Sequence, residues 1–406
     1  MPYAFTDRGR RVLDEVQAFM REHVEPAEAV FEEQWRAGGP NSDPPVLGEL
    51  KAEARRRGLW NLFLPADLGG ARDAGLSTVD YAPVSEQLGR VQFAPEVLNC
   101  SAPDTGNMEL LHRSASPELK QRWLEPLLAG EIRSAFGMTE PDVASSDASN
   151  ISLRMERDGD HYVLNGRKWF STGALSERCR VFIVMGRTDP DGPRHQQHSM
   201  IVVPRDTPGI SISFEPTVFG YEERGGHPEV IYDDVRVPVG NRLGGEGEGF
   251  ALAQARLGPG RIHHCMRMLG VGERALELLI RRALDRTTFG TRVADQGLVR
   301  HWIAESRIQL DMAREYVLNT AALIDEGGAR SARSAIAGIK VAVPNIVLQV
   351  IDRAIQVHGA AGVTQRTPLA AMYANVRTLR IADGPDEVHE MTIARGEVRR
   401  FDRPAT

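Results

Sequence analysis

The stretch Phe136-Gly-Met-Thr-Glu-Pro-Asp-Val-Ala-Ser-Ser-Asp147 marks the point at which the sequence changes from helical to strand-like patterning. It begins as an extended run and breaks at Pro141, which has no N–H group and disfavours a helical conformation at Glu140. Small and hydroxyl-bearing residues follow, and their backbone N–H groups can turn toward an anion or a heteroaromatic ring. The stretch therefore predicts an extended segment that ends in a polar binding loop.

A second extended stretch, Lys168-Trp-Phe-Ser-Thr-Gly173, offers two aromatic faces at Trp169 and Phe170 and a hydroxyl group at Ser171. A planar, hydrogen-bonding cofactor such as a flavin needs contacts at the edge of its ring and a flat cover on its face. Taken alone, either stretch is more typical of an ordinary turn or a core strand than of a cofactor site. Together with the C-terminal stretches described below, the two favour a flavin site.

The residues before the first stretch carry helical patterns. Apolar residues recur on one helical face in residues 6–24, and similar patterns follow at 47–57 and 81–88. Ser116-Pro117 is typical of a helix start, with serine as the N-cap and proline in the first turn. We predict an N-terminal α-helical domain over residues 1–135.

Residues 136–243 carry short runs of strand-forming residues that are separated by turn residues. Asp158-Gly159 predicts a turn, and Asn165-Gly166 is the strongest short signal for a β-hairpin. The predicted strands lie at 151–156, 162–164, 181–185, 200–203, 210–214 and 230–237. Their spacing predicts a middle domain that is a small β-barrel or sandwich.

After Gly244-Gly-Glu-Gly-Glu-Gly249 the apolar residues return to helical spacing. Long stretches at 249–285, 294–326 and 331–358 each carry one apolar stripe, as in an antiparallel helix bundle. We therefore predict an α+β multi-domain fold that ends in a C-terminal four-helix bundle over residues 244–406.

Composition argues against several functional classes. The 406 residues exceed what one core usually serves, and the formal net charge of −6 favours neither nucleic acid nor an anionic membrane as a partner. The three cysteines are few and far apart, which indicates neither a disulfide framework nor a metal site. The N-terminus lacks the pattern of a signal or transit peptide, and no apolar run approaches the length of about 18 residues that a membrane span needs. We expect a cytoplasmic protein, although an organellar protein without its leader fits the same pattern.

Several stretches resemble motifs of the acyl-CoA dehydrogenase family. Thr139-Glu-Pro141 and Trp169-Phe-Ser171 are similar to its flavin-binding segments, and Arg286-Thr-Thr-Phe-Gly290 is similar to its Arg-x-Thr-Phe-Gly turn. Gln356-Val-His-Gly-Ala-Ala-Gly362 is similar to a family segment at the end of a bundle helix. The order helical domain, β domain, helix bundle is also that of the family. The resemblance covers nearly the whole chain.

Four further stretches resemble the branch of this family that contains acyl-CoA dehydrogenase family members 10 and 11. Those proteins are larger and carry kinase-like domains ahead of the dehydrogenase, and the resemblance here covers the dehydrogenase portion only. The four stretches are Asn99-Cys-Ser-Ala-Pro-Asp-Thr-Gly-Asn-Met108, Asp142-Val-Ala-Ser-Ser146, Gly258-Pro-Gly-Arg-Ile-His-His-Cys265 and Ala382-Asp-Gly-Pro-Asp-Glu-Val-His389.

The resemblance implies FAD as the cofactor. Arg286 is expected to reach across a dimer interface toward the FAD phosphates of the partner, a task that suits a fixed guanidinium fork. Gly359-Ala360 departs from the usual Gly-Gly of the family, and His358 is more typical of a structural histidine. The FAD-binding residues that the resemblance implies are Phe136, Met138, Thr139, Ser145, Ser146, Trp169, Phe170, Ser171, Arg286, Thr288, Phe289, Gln296, Gln356, Gly359, Pro385 and Glu387.

The resemblance also implies a substrate site made of Ser146, Phe250, Arg261 and Gly384. Phe250 and Arg261 lie in the helix that lines the acyl-CoA site in the family, although Arg261 equally fits a solvated helix charge. The segment Leu257-Gly-Pro-Gly260 departs from a regular helix, because glycine and proline disfavour a helix by about 1 and 3 kcal/mol each. We expect Pro259 to bend the helix there and the two glycines to leave room for a substituent on the substrate.

Asp383 is the candidate catalytic base. It lies in Arg380-Ile-Ala-Asp-Gly-Pro-Asp-Glu-Val-His389, in a predicted turn that follows a predicted helix over 372–379. Alone, an Asp-Gly pair is more typical of an ordinary surface turn. The family places a carboxylate at this point, usually a glutamate. Some branches carry their catalytic glutamate where this chain has Gly260, which has no side chain, so the resemblance implies Asp383.

The implied activity is α,β-desaturation of an acyl-CoA thioester, as in fatty acid β-oxidation, by a homodimer or homotetramer that passes electrons to an electron-transfer flavoprotein. A rival of the same fold is a flavin oxidase similar to nitroalkane oxidase. A rival of another class is a flavoprotein that binds DNA. The acidic balance argues against that rival, although Arg395-Gly-Glu-Val-Arg-Arg400 is a small basic cluster.

Overall fold

The computed structural model describes residues 3–64 and 75–402, which form two compact units. Unit 1 contains the residues up to Glu25, Leu76–Pro95 and the residues from Gly258 onward. Unit 2 contains Pro26–Gly75, as far as it is described, and Glu96–Leu257.

The N-terminal and C-terminal parts of the chain are helical, as predicted. Helices α1 and α4 belong to unit 1, whereas α2, α3 and α6 belong to unit 2, so the N-terminal helices are shared between the units. The α-helices are α1 (Asp7–Phe19), α2 (Glu28–Gly38), α3 (Pro45–Arg56), α4 (Thr78–Gly89), α5 (Ala94–Val97), α6 (Asp104–Ser114), α7 (Pro117–Leu119), α8 (Glu125–Leu128), α9 (Gly249–Asp285), α10 (Gly297–Ser331), α11 (Arg333–His358), α12 (Leu369–Thr378) and α13 (Asp386–Phe401).

Side-chain caps fix the starts of three of these helices. At the start of α1 the Thr6 hydroxyl accepts from the N–H of Gly9 (2.9 Å). The Ser77 hydroxyl accepts a hydrogen bond from the N–H of Asp80 at the start of α4 (3.1 Å). Ser116 is the N-cap of α7, as the sequence predicted, and its hydroxyl accepts from the N–H of Leu119 (3.3 Å). A cap of this kind stabilises a helix by about 1 kcal/mol. Helix α7 then passes into a π-helical turn, Lys120–Leu124.

Helices α4 and α9 approach each other closely in unit 1 at two glycines. A Cβ atom on Gly89 would collide with the carbonyl oxygen of Arg267, and a Cβ atom on Gly270 would collide with that of Glu86. Glycine fits here because its missing side chain lets the two backbones touch. The crossing fixes the position of Arg267 on α9.

The middle of the chain forms an eight-stranded sheet in unit 2, which pairs in the order β6-β7-β3-β2-β4-β5-β8 with β1 parallel to β4. Each run that the sequence predicted as a strand overlaps one of these strands. Their bounds are β1 (Arg133–Gly137), β2 (Arg154–Asp158), β3 (His161–Lys168), β4 (Cys179–Arg187), β5 (His198–Pro204), β6 (Ile210–Phe214), β7 (Glu229–Pro238) and β8 (Arg242–Leu243).

The core of the sheet contains buried side chains from several strands, among them Met155, Leu164, Phe182, Val203 and Val237. Burying such a side chain contributes about 1.5–3 kcal/mol, so this core holds the strands in register. The register places the end of β1 and the end of β3 where the two stretches singled out in the sequence begin.

The predicted hairpin at Asn165-Gly166 is wrong. Both residues lie inside β3, and the chain turns between β2 and β3 at Gly159-Asp160 instead, next to the predicted Asp158-Gly159. The pairing of β3 with β7 shifts its register after Leu164, and there the Asn165 side chain donates to the Asp234 carboxylate (3.0 Å) and accepts from the Asp234 N–H (2.9 Å). The Asn-Gly pair therefore serves a β-bulge rather than a turn.

The three long helices α9, α10 and α11 match the predicted stretches within a few residues at each end. Helix α11 packs against α10, α12 and α13 in unit 1. Residues 333–363 are long and apolar enough, by length and composition alone, to cross a membrane, so the prediction that no stretch reaches that length does not hold here. Of its most apolar 18-residue window, 61% is buried, which is typical of the core helix of a bundle.

Candidate functional site

The two stretches singled out in the sequence lie side by side in unit 2. The backbone N–H of Trp169 donates to the carbonyl oxygen of Thr139 (3.0 Å), and the Thr139 hydroxyl donates to the carbonyl oxygen of Trp169 (2.8 Å). Strand β1 ends at Gly137 and strand β3 ends at Lys168, so both stretches leave the sheet at these points. The structure thus brings the polar loop and the aromatic segment into direct contact.

A buried ion pair, which the sequence analysis missed, holds the loop. The fully buried Lys168 ammonium donates to the Glu140 carboxylate (2.8 Å) and to the carbonyl oxygen of Met138 (2.9 Å). The same carboxylate accepts from the N–H and hydroxyl of Ser152 and from the N–H of Leu153. Burial raises the pKa of Glu140, but the Lys168 charge and these hydrogen bonds outweigh burial, and the pKa lies below its ordinary value.

The aromatic segment leaves β3 in an unusual conformation. Phe170 has a φ of +48°, in the left-handed region that few residues other than glycine adopt, and 42% of its surface is exposed. The rings of Trp169 and Phe170 meet edge to face, with centroids 5.1 Å apart and an interplanar angle of 84°. The Ser171 hydroxyl is buried and has no hydrogen-bond partner among the described residues. A strained exposed aromatic residue beside an orphaned hydroxyl suits a ligand site, although the perpendicular rings offer one flat face rather than two.

The remaining FAD candidates of unit 2 lie in or beside the same loop. The ring of Phe136, on β1, lies 3.8 Å from the guanidinium carbon of Arg256. The Ser145 hydroxyl accepts from the N–H of Glu140 (2.9 Å), so it closes the loop on itself. The sequence analysis did not predict a role for Arg256. The only signal for it in the sequence is its place next to the unusual Leu257-Gly-Pro-Gly260 segment.

Two candidates for the substrate site also belong to unit 2. Ser146 is exposed at the end of the Thr-Glu-Pro loop. Phe250 lies in the first turn of α9, and its ring packs against His195 with centroids 4.6 Å apart. In unit 2, Ser146 is therefore accessible, whereas the Phe250 ring packs against a neighbouring ring.

Unit 1 carries an open cleft of about 660 Å³ that basic side chains line. Arg286 lines the cleft, and so do three further arginines that the sequence analysis did not single out. Guanidinium groups bind phosphate oxygens through paired hydrogen bonds and keep their charge at any physiological pH, so this cleft suits a diphosphate. The lining residues are Leu278, Arg281, Arg282, Asp285, Arg286, His358, Ala360, Ala361, Arg366 and Thr367.

Arg286 leads into a small β-hairpin. Strand β9 (Thr287–Thr288) pairs antiparallel with β10 (Thr291–Arg292). Phe289 and Gly290 connect them with φ values of +49° and +80°. Two positive φ values are the mark of a type I′ turn, whose twist matches that of a hairpin. Gly290 thus adopts the left-handed conformation that favours glycine.

The other candidates near this hairpin differ in exposure. Phe289 is 97% exposed, and Thr288 is half-buried. Gln296 donates from its side chain to the Thr291 hydroxyl (2.8 Å), which ties the start of α10 to the hairpin. The hairpin therefore presents an aromatic side chain to its surroundings.

The end of α11 supplies the last candidates of unit 1. Gly359 has a φ of +62°, and a Cβ atom there would meet nothing within 4 Å. Ala360, which replaces the second glycine of the family, lines the arginine cleft. The ring of His358 donates from Nδ1 to the carbonyl oxygen of Ala354 (2.8 Å), as a structural histidine does. Gln356 is exposed and lines a second open cleft of about 500 Å³.

Asp383 and Gly384 form the turn between α12 and α13, with φ values of +57° and +104°. Arg261, from α9, donates from Nε to the carbonyl oxygen of Asp383 (2.9 Å), and Nε2 of His389 lies 3.3 Å from the same oxygen. Burial lowers the pKa of His389 to about 4, so its neutral ring can donate to this oxygen. Two helices therefore hold the main chain of Asp383 in a left-handed conformation, and Arg261 is no solvated helix charge.

The Asp383 carboxylate faces α9 at Gly260. A Cβ atom on Gly260 would lie 3.4 Å from Oδ2 of Asp383, which is an ordinary van der Waals contact. The two positions at which the family carries its catalytic carboxylate are therefore neighbours in unit 1. Helix α9 runs through Pro259 without interruption.

Neighbouring acidic residues are placed differently from Asp383. Asp386 is buried in the first turn of α13, and its Oδ2 accepts from Nε of Arg380 (2.6 Å) and from the side chain of Asn345 (3.1 Å). Glu387 is exposed in the same turn, and Pro385 occupies the N-cap position of α13. Asp386 is thus committed to structural partners. In residues 3–64 and 75–402 no cluster of three or more histidine, cysteine or acidic side chains could hold a metal ion.

Comparison with known proteins decides the family. The models of the acyl-CoA dehydrogenase N-terminal, middle and C-terminal domains match residues 6–131, 135–235 and 247–397. The chain belongs to the acyl-CoA dehydrogenase family. It is an oxidoreductase of the acyl-CoA dehydrogenase type, and it has the helical, sheet and helical parts of that fold.

Individual relatives agree with this family and with the predicted branch. The chain is 52% identical over 403 residues to the probable acyl-CoA dehydrogenase FadE2 of Mycobacterium tuberculosis, and the alignment covers 98% of each chain. It is 54% identical over 398 residues to acyl-CoA dehydrogenase family member 11 of Gallus gallus, and this alignment covers 96% of this chain and 50% of that protein. A solved acyl-CoA dehydrogenase structure from Mycobacterium abscessus is 50% identical, covers 98% of this chain and 100% of its own, and has a TM-score of 0.94. The chain thus spans about half the length of the member 11 relatives.

Proposed function

We propose that this acyl-CoA dehydrogenase converts an acyl-CoA thioester into its α,β-unsaturated product, with Asp383 as the base that takes the α-proton. The observation that carries the proposal is the pinned Asp383 turn: the carbonyl oxygen of Asp383 accepts from Arg261, and its carboxylate faces the empty position at Gly260. A catalytic group is effective when its geometry is fixed before the substrate arrives.

Desaturation requires a base that removes a weakly acidic proton from Cα of the substrate. The Cα–H bond breaks, the proton moves to an oxygen of the Asp383 carboxylate, and the negative charge is shared with the thioester carbonyl. A positioned general base of this kind contributes a rate factor of about 10²–10⁴. Aspartate is shorter than the usual glutamate by one C–C bond of about 1.5 Å, so the substrate has to lie closer to this main chain. The absent side chain at Gly260 leaves space beside the carboxylate for that approach.

Bound FAD would supply the acceptor for the hydrogen that leaves Cβ with its electron pair, as a hydride. In unit 2, Thr139, Trp169, Phe170 and Ser171 would hold its ring system, and the unpartnered Ser171 hydroxyl supports this role. In unit 1, Arg286 and the other arginines of the cleft would hold phosphates.

We also propose an electron-transfer flavoprotein as the electron acceptor, a homodimer or homotetramer as the assembly, and the cytoplasm as the location. Family membership supports the acceptor. The exposed Phe289 on the hairpin that follows Arg286 supports a contact between copies of the chain. An isologous dimer would give both flavin sites the same contacts.

Mixing the purified protein with a panel of acyl-CoA thioesters without oxygen tests the proposed activity. We expect flavin absorbance to bleach with at least one thioester, and the reduced flavin to react slowly with oxygen and quickly with an electron-transfer flavoprotein. Bleaching by nitroalkanes but by no thioester, with fast reoxidation by oxygen, would contradict it and favour the oxidase of the same fold.

A further inference from the structure

Helix α9 presents a histidine to the carboxylate of Asp383. His264 follows Gly260 by one helical turn, so both residues lie on the same face of the helix. Nε2 of His264 lies 3.6 Å from Oδ2 of Asp383, and the two side chains are only 20% and 19% exposed. The imidazole is thus a close neighbour of the proposed base, on the side where α9 carries no side chain at position 260.

The other ring nitrogen of His264 fixes which proton the ring carries. Nη2 of Arg267 lies 3.2 Å from Nδ1 of His264. A guanidinium group can only donate, so Nδ1 has to accept, and the proton of a neutral imidazole then sits on Nε2. The close crossing of α4 and α9 at Gly89 holds the main chain of Arg267 in place. The order of donation is therefore Arg267 to His264 Nδ1, and His264 Nε2–H toward Asp383.

The remaining charged groups around this pair have other partners. Arg261 and His389 bind the carbonyl oxygen of Asp383, Lys340 donates to the carbonyl oxygen of Leu379, and Arg380 pairs with Asp386. On α9, burial lowers the pKa of His263 to about 3 and raises the pKa of the Cys265 thiol to about 12, so both neighbours are uncharged near neutral pH. Arg261 and Lys340 are positive charges that interact electrostatically with Asp383.

The geometry points to His264 as a positioning residue for Asp383: its Nε2–H faces the carboxylate across 3.6 Å and favours the ionised form that accepts a proton. The inference rests on the proposed role of Asp383 and adds to it. His264 acts through Asp383, and Arg267 acts through His264 by keeping the proton on Nε2. A donor to the charged form of an acid extends the range over which that acid is ionised toward lower pH.

The test is the pH dependence of anaerobic flavin reduction by an acyl-CoA that bleaches the wild-type flavin. In His264→Ala the acidic limb should move to higher pH by about one unit, so that the rate below the limb falls about tenfold, whereas FAD content and the dissociation constant for acyl-CoA stay unchanged. His264→Gln, whose side-chain amide can still donate, should restore most of the wild-type profile. His301→Ala, at an exposed histidine of α10, is the matched control and should leave the profile unchanged. An unchanged profile in His264→Ala would overturn the inference.

A second readout needs no turnover. Nitrogen NMR of the holoenzyme with ¹⁵N-labelled histidine, assigned by the signals lost in His264→Ala, should show His264 as the neutral Nε2–H form at neutral pH. Arg267→Met should let the Nδ1–H form appear. An Nδ1–H form or an imidazolium in the wild type at that pH would overturn the inference. If no thioester bleaches the wild-type flavin, the proposed function fails while the NMR result still decides the tautomer.

Discussion

At the scale of single residues, the buried pair of Lys168 and Glu140 controls the loop that faces the aromatic segment. Glu140→Gln should lower the free energy of unfolding by about 3–5 kcal/mol, because it leaves the Lys168 ammonium buried without a countercharge. Denaturant unfolding at neutral pH measures the loss. The double change Glu140→Gln with Lys168→Met should recover part of it, since it also removes the stranded charge.

The pH dependence of the same pair has a definite sign. Because the folded-state pKa of Glu140 lies below its ordinary value, the ionised carboxylate stabilises the fold above the unfolded-state pKa. That stabilisation is lost as the pH falls through the folded-state pKa. The exposed pair of Arg167 and Asp142 is a matched control, and Asp142→Asn should change stability by less than about 1 kcal/mol. Equal effects of Glu140→Gln and Asp142→Asn would contradict the importance of burial.

At the scale of elements, helix α9 carries a glycine where it passes the Asp383 carboxylate. Gly260→Leu should reduce turnover of acyl-CoA substrates branched near the thioester more than turnover of straight ones, because the new side chain fills the space beside Oδ2. Steady-state kinetics with matched branched and straight substrates measures the ratio. An equal loss for both would mean that the glycine serves the helix alone.

The variant Gly260→Ala distinguishes the effect of helix propensity on stability from the effect of the space beside Asp383 on substrate choice. Alanine stabilises a helix interior by about 1 kcal/mol relative to glycine. Gly396→Ala on α13, where a Cβ atom meets nothing within 4 Å, is the matched control for that term. Both variants should gain similar stability, and only Gly260→Ala should change the ratio of branched to straight turnover.

The elements also show where sequence patterns suffice. The predicted strand over 210–214 coincides with β6, and the stretch 249–285 coincides with α9, because periodicity and turn residues are local signals. The prediction of a hairpin turn at Asn165-Gly166 was wrong because an Asn-Gly pair fits both a turn and a β-bulge. Pairing with the distant Asp234 decides between the two. The contact of Arg261 with Asp383 spans 122 positions, so only the fold could reveal it. The same holds for Glu140 and Lys168, whose roles depend on burial.

At the scale of the whole molecule, the arginine cleft should bind the cofactor tightly enough for the protein to be purified yellow, as an oligomer with non-covalent FAD. Arg286→Ala should raise the dissociation constant for FAD at least about tenfold, since a hydrogen bond between charged groups contributes about 1.5–3 kcal/mol. Fluorescence of released flavin measures the constant. Arg292→Ala, in the same hairpin but paired with Asp295, should leave FAD binding unchanged. A colourless monomer that gains no flavin absorbance would contradict this account.

The most direct test of the central claim is single-turnover flavin reduction by acyl-CoA in Asp383→Asn. The variant should retain FAD and bind acyl-CoA, yet reduce its flavin about 10²–10⁴-fold more slowly than the wild type, because the amide cannot accept the α-proton. Glu390→Gln, at an exposed acid of α13, should reduce its flavin at the wild-type rate. Near-normal reduction in Asp383→Asn would contradict the account and would move the search for the base to Asp386 or Glu387.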